Sequence, residues 1–411
     1  MTSTVLCADI GTSSLKAAVI DEGGNVLAYS RQRFLSLYTD HAAAEWLPSL
    51  AKAVSAIRAA TPSPSVDALR IDALCISGNG PTLAGEGGET LLWNRQVAQS
   101  ASSSLFIPRI LAFKERYPAA WESAKTIFSG PEYLIYQLTG ARLSILPEAR
   151  YEAAYWSTDS LREAGVNDGE AAKLPPFVAP GTLAGALSAE AARLLGMREG
   201  LPVYCGAPDF VSALVGTNTL EAGKLCDRAG SSEGLNLCTT EPVAAENIRT
   251  LPAPVPDLWN ASYLIPESGS RFSAFKQKVE REFGRELDYD VLVRMLIESN
   301  GSLATLDQGK YLMLQTALQV KEGLAALASA AEKAGTAMPR KMLVTGGQAA
   351  NDDWNQMKAD ICGIDIVVPA CSDAELLGDA AFAFTGMGVF ADLSTAAFRL
   401  YRPEKFFQPR A

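Results

Sequence analysis

The first thirty residues alternate short apolar runs with clusters of turn formers. Residues 5–10 are apolar, Gly11-Thr12-Ser13-Ser14 is a turn cluster, and residues 15–20 are apolar again. Glu22-Gly23-Gly24-Asn25 then makes a second turn before residues 26–29. Runs of this length between glycine and hydroxyl residues predict an antiparallel meander. The first turn leads into a strand. That separates it from a P-loop or a dinucleotide-binding opening, both of which lead into a helix. The same layout returns about 220 residues later, where residues 224–229 precede Gly230-Ser231-Ser232 and residues 234–238 follow. Two such hairpins, each opening half of the chain, predict a duplicated domain with a cleft between the halves.

Helical periodicity marks residues 43–59, 108–115, 132–138 and 189–195 in the first half, with a buried strand over 71–76. In the second half a long alanine-rich helix is expected over 314–333, a strand over 341–344 and a helix over 352–362. A strand over 364–368 and a helix over 374–384 complete that half. Alternating elements of this kind mean α/β layers. The chain of 411 residues is long for one core, so two domains are expected, 1–223 and 224–411. Residues 241–301 show little periodicity and give no clear elements.

Composition narrows the function classes. The content is 48% hydrophobic and 20% charged, as in a soluble globular protein. A net charge of −10 argues against nucleic acid or an anionic membrane as a partner. The apolar stretch 374–391 is broken by Glu375, Asp379 and glycines, which predicts a buried helix and no membrane span. The N-terminus lacks the charged and apolar regions of a signal peptide. Seven scattered cysteines without a C-x-x-C fit buried thiols in a reducing compartment, so a cytoplasmic location is expected and no structural zinc site. The sole histidine, His41, lies in a polar stretch and reads as a surface residue. One histidine excludes multi-histidine metal sites and argues against a Ser-His-Asp triad.

Three stations could carry chemistry. The turn 11–14 offers amides and hydroxyls suited to phosphate oxygens, with Asp9 before it and Lys16 beyond it, although an ordinary polar hairpin reads the same way. Asp209 follows the strand-like residues 201–205 at the start of a helix. It can be an N-cap, a general base that accepts the proton of an attacking hydroxyl, or both. Gly346-Gly347 ends a strand before a helix whose first turn holds Asn351 and Asp352. That is either a structural turn or a place where backbone approaches a nucleotide.

Together these stations resemble the FGGY family of carbohydrate kinases (xylulokinase- and glycerol kinase-like), of the actin/hexokinase/Hsp70 superfamily. Asp-Ile-Gly-Thr-Ser-Ser-Leu-Lys at 9–16 is similar to that family's first phosphate motif. Residues 206–216 are similar to its segment with the catalytic aspartate, and Gly230-Ser231-Ser232 to its second phosphate loop. Gly346-Gly347, eight further residues and then Gln356-Met357-Lys358-Ala359-Asp360-Ile361-Cys362-Gly363 is similar to its adenosine motif, the most specific match. Weaker matches are Ile76-Ser77-Gly78-Asn79-Gly80, Leu92-Trp93-Asn94-Arg95, Pro108-Arg109-Ile110-Leu111 and the segment from Tyr133 to Leu138-Thr139-Gly140. The motifs run in family order over nearly the whole chain.

The resemblance implies two ribonuclease H-like domains that close over ATP, magnesium and a sugar or polyol. Asp209 would be the general base and Asp9 would attend magnesium. Gly11, Thr12, Ser13, Lys16, Gly230 and Ser231 would line the triphosphate. Gly346, Gly347 and Asn351 would hold the adenosine, while Asn79, Trp93 and Asn94 would face the sugar beside Asp209. For Trp93, simple core packing explains an indole at a strand end nearly as well. A homodimer is the expected assembly.

The chain departs from the family in three places. It has Gly-Ser-Ser where Gly-Thr-Ser is usual, and Asn94 where an aspartate is common. A Pro-x-x-x-Gly-x-Arg-x-Pro segment that helps cover the nucleotide is absent between Cys238 and Met313, which predicts an altered nucleotide affinity or preference. A nucleotide- or sugar-binding regulatory protein on the same fold is the competing reading. An actin-like ATPase would not explain Asn79 and Trp93-Asn94.

Overall fold

The computed structural model describes residues 2–35, 39–60, 70–98, 103–299 and 303–410. Its contacts divide the chain into two units, Met1–Gly216 with Glu375–Leu400, and Thr217–Ala374 with Tyr401–Ala411. The sequence reading draws one line after residue 223. The structure adds the return of residues 375–400 to the first unit, which has a local cause. A Cβ on Gly378 would lie 2.0 Å from the Ser212 carbonyl oxygen, and Asp379 accepts hydrogen bonds from Ser77 and Ser212.

In the first unit Thr4–Ile10, Ser14–Asp21 and Val26–Arg33 form the expected antiparallel meander. Ala73–Gly78 lies parallel beside Thr4–Ile10, and Pro202–Pro208 parallel beside Ala73–Gly78. The second unit repeats this plan. Leu225–Ala229, Glu233–Thr239 and Trp259–Ile265 make the meander. Lys341–Thr345 pairs parallel with the first of these, and Asp365–Pro369 parallel with Lys341–Thr345. Both sheets therefore place the meander's first strand centrally, with two parallel strands beyond it and an antiparallel strand at the edge. This is the duplication that the paired hairpins predict, on the ribonuclease H-like plan that the resemblance implies.

Each sheet is buried by helices whose apolar stripes match it. Trp46–Ala60 turns Trp46, Leu50, Ala53, Val54 and Ile57 inward, a spacing of three and four residues that keeps them on one face. The long helix of the second unit covers Ala304–Lys333, ten residues more at its start than its periodicity predicts. There the chain is polar between buried Leu306, Gly309 and Met313. Gly309 is dictated by packing, since a Cβ would meet the Phe275 ring at 2.4 Å. Residues 241–301, unreadable in the sequence, hold the strands Ile248–Pro252 and Trp259–Ile265 and the helices Ser268–Phe283 and Tyr289–Glu298. These helices close a small core of Phe272, Phe275, Val279, Leu292 and Trp354. No described helix is long and apolar enough to cross a membrane. His41 is exposed, and none of the seven cysteines is in a disulfide.

Glu132 is buried at the head of the helix Glu132–Thr139. Its Oε1 accepts from Ser129 Oγ and from the Ile145 amide, both at 2.8 Å, and its Oε2 is buried without a hydrogen-bond partner. Burial pushes its carboxyl up to about 7 from 4.5. Between these values the unfolded chain binds fewer protons than the folded one, so stability falls as pH rises through this window. Glu132→Gln keeps the shape and removes the titration. In urea denaturation at pH 5 and pH 7.5, the variant is expected to gain about 2 kcal/mol on the wild type across the interval. An unchanged difference would refute this.

Candidate active site

The first turn is closed by the Gly11 amide donating to the Ser14 carbonyl at 3.0 Å. Two side chains hold it from the protein side. The Asn79 amide nitrogen donates to the carbonyls of Ile10 and Gly11, each at 3.0 Å, and Asn79 Oδ1 accepts from Thr82 Oγ1 at 2.6 Å. Asn79 is buried, and these bonds make it a support of the turn. Trp93 Nε1 donates to Thr12 Oγ1 at 3.0 Å, which leaves the Thr12 hydroxyl proton to point elsewhere. The Trp93 indole is half-buried, so it combines support with exposure, and its neighbour Asn94 is exposed.

The segment carrying Trp93 and Asn94 is clasped by Arg109, a residue the sequence offered only within a weak motif. The buried Arg109 guanidinium donates to the carbonyls of Leu92 at 2.8 Å and Arg95 at 3.0 Å, and also to that of Trp93. Burial lowers its pKa to about 10, so it remains a cation at neutral pH. The planar fork spreads its donors over three carbonyls of one segment.

Asp9 lies one residue before the end of its strand, buried, with Lys16 facing it across the hairpin. Lys16 Nζ stands 3.8 Å from both Asp9 Oδ2 and Glu375 Oε2. Ser77 Oγ donates to Asp379 Oδ2 at 2.7 Å and is 3.4 Å from Asp9 Oδ1, while Ser212 Oγ donates to Asp379 Oδ1 at 2.9 Å. Burial raises the Asp379 pKa well above the carboxylate range, and Asp9 and Glu375 add to the rise. The sequence reading missed this cluster. Glu375 and Asp379, four residues apart in an apolar helix and thus on one face, were the available signal.

Asp209 is the first residue of the helix Asp209–Gly216, directly after the strand Pro202–Pro208. It is half-buried, and its Oδ1 accepts from the Phe210 amide at 2.7 Å. Ser212 lies one turn on, which sets the Asp379 cluster on the same helix face.

In the second unit the turn is closed by the Gly230 amide donating to the Ser232 carbonyl at 3.1 Å, with Ser231 exposed. Glycines bracket it. A Cβ on Gly269 would lie 2.0 Å from the Gly230 oxygen, and one on Gly346 2.6 Å from the Ala229 oxygen. Gly346 also has a φ of +89°. A Cβ on Gly347 would meet nothing within 4 Å, so that glycine opens onto free space. Asn351 caps the helix Asp352–Cys362, accepting from the Trp354 amide at 2.8 Å and donating to Asp290 Oδ1 at 2.6 Å. The head of the helix Ser268–Phe283 joins the turn, with the Ser270 amide donating to the Ser231 carbonyl at 3.0 Å. Its location in the unreadable stretch hid it.

Fully buried Lys358 donates to Asp227 Oδ2 at 2.8 Å and to Glu233 Oε1. A lysine four residues after buried Trp354, on the inward face, was the sequence signal for it. Among the described residues no three His, Cys, Asp or Glu side chains converge as a metal cage. Asp9, beside the first turn, is a carboxylate that could hold a metal ion there, with Lys16, Glu375 and Asp379 around it.

Residues 312–387 match the model of the C-terminal domain of the FGGY family of carbohydrate kinases. The chain is 23% identical over 485 residues to an autoinducer-2 kinase of Klebsiella pneumoniae, covering 99% of this chain and 90% of that protein. It is 23% identical over 478 residues to the xylulose kinase of Bacillus subtilis, covering 99% and 93%. The structure of Plasmodium falciparum glycerol kinase with ADP superimposes with a TM-score of 0.76 at 15% identity, covering 100% and 94%.

Arg109→Met leaves three carbonyls without their shared donor, and a loss of about 2–4 kcal/mol is expected in urea denaturation. Arg109→Lys recovers less than half of that. A loss below about 1 kcal/mol for Arg109→Met would show that the clasp is not needed.

Proposed function

We infer that this chain, which belongs to the FGGY family of carbohydrate kinases, transfers the γ-phosphoryl group of ATP to a hydroxyl of a small sugar or polyol. The observation that carries the reading is the Asp209 carboxylate at a helix head, in the same unit as the Thr12-Ser13 turn and the Trp93-Asn94 segment.

Asp209 takes the proton of the acceptor hydroxyl as that oxygen attacks the γ-phosphorus. The new oxygen–phosphorus bond forms while the bond to ADP breaks. The bond from the Phe210 amide fixes the carboxylate's orientation beforehand. Trp93 and Asn94 contact the sugar, and Arg109 and Asn79 keep their segments in place. The hydroxyls of Thr12, Ser13 and Ser231, the Gly11 and Gly230 turns and the Lys16 ammonium meet phosphate oxygens as charge develops on them. Gly346, Gly347 and the capped start of Asp352–Cys362 lie along the adenosine. Asp9 would hold magnesium, which supplies neutralisation of the phosphate charge when bound with the nucleotide.

The acceptors named in the relatives, autoinducer-2 and xylulose, define the first panel, with other ketoses and the polyol glycerol beside them. Acceptor-dependent ADP release from at least one is expected. Asp209→Asn should lower kcat by about 10²- to 10⁴-fold with the ADP dissociation constant kept within about twofold. Near-normal turnover in that variant would remove Asp209 as the base. ADP binding without transfer to any acceptor would remove the kinase reading.

A further inference from the structure

The second turn sits on an unusual charge arrangement. Asp227 belongs to the strand that enters Gly230-Ser231-Ser232 and Glu233 begins the strand that leaves it. In the hairpin register Ala229 faces Glu233, and Asp227 lies two residues before Ala229. Strand alternation therefore puts both carboxylates on one side of the hairpin. Lys358 reaches both from the helix Asp352–Cys362. All three side chains have zero exposure. Asp227 Oδ1 and Glu233 Oε2 are buried with no hydrogen-bond partner.

One ammonium against two carboxylates leaves one negative charge in excess, sealed from water. Buried unpaired charge of this kind is resolved by taking up a proton. The charge count also bears on the turn. Glu233 is the residue after Ser232, so an uncompensated carboxylate would stand immediately behind amides and hydroxyls meant for phosphate. Phosphate next to a net negative triad is repelled in the low-dielectric interior, and next to a neutral triad it is not.

We propose that Asp227, Glu233 and Lys358 form a proton-holding triad behind the Gly230-Ser231-Ser232 turn, so that the turn accepts nucleotide phosphate only while one of the two carboxyl groups is protonated. The three are positioning residues, since none of them contacts the turn's open side. The idea rests on the turn being a phosphate loop. Burial first, and Glu233 second, push Asp227 up to about 8 against the pull of Lys358, which places the proton there at neutral pH. Lys358 remains charged, because the two carboxylates outweigh its burial. The next ionisable groups are the thiols of Cys226 and Cys362, with Arg228 acting on the first and Lys321 on the second. Nucleotide affinity is then fully present below about pH 8 and is lost as pH rises through it.

The test is ADP binding by calorimetry on the full chain from pH 7 to 9.5. For the wild type the dissociation constant is expected to rise about tenfold between pH 7 and 9, the full linkage of one proton. Asp227→Asn mimics the protonated carboxyl. Glu233→Gln leaves a one-to-one ion pair that needs no proton. Both should flatten the profile to less than about twofold, and if one variant fails to fold the other gives the same reading. A wild-type affinity that does not change with pH, or a tenfold rise that persists in a folded variant, overturns the triad's role. Absence of ADP binding at every pH instead overturns the phosphate-loop reading on which the proposal rests.

Discussion

Charge buried away from water must find a partner inside the protein, and this requirement fixes the surroundings of both hairpin turns. In the first unit Asp9 meets Lys16 across the hairpin, and Asp379 is stabilised by the hydroxyls of Ser77 and Ser212. In the second, Lys358 answers Asp227 and Glu233. Each such group lies on a different element from its partner. Satisfying them locks strand, turn and helix into one arrangement, and a shift of any element by an ångström would strand a charge.

The same logic explains why so few residues at these turns are interchangeable. Gly206 faces Asp379, whose Oδ1 would be 2.9 Å from a Cβ there. Gly269 and Gly346 let other backbone approach Gly230 and Ala229. Asn79 and Arg109 turn side chains into struts for the first turn and for the segment of residues 92–95. In the first turn Thr12 Oγ1 accepts from Trp93, and in the second Ser231 is exposed.

The departures from the family pattern have a structural counterpart. Where the family's proline- and glycine-rich covering segment is missing, the second unit has two helices, Ser268–Phe283 and Tyr289–Glu298, packed on the long helix and on Trp354. The T-shaped contact of Phe272 with Trp354 at 5.0 Å joins them to the helix Asp352–Cys362. The helix head at Ser268–Ser270 meets the second turn directly.

The sequence by itself determined the elements with strong local signals. The first meander and the opening hairpin of the second were legible because glycine-rich turns divide apolar runs, and Asp352–Cys362 and Ala189–Leu195 because caps and apolar period agree. It also placed Asp209 at a helix head, since strand, turn residue and apolar helix follow one another in the chain. Tertiary structure alone decided the partnerships. That Asn79 supports Gly11, that Arg109 clasps the carbonyls of residues 92–95, and that residues 375–400 belong to the first unit depend on contacts between distant positions. Glu375, Asp379 and Lys358 were visible as charges on apolar faces. Which partner neutralises each of them is a matter of three-dimensional register, and no local pattern encodes it.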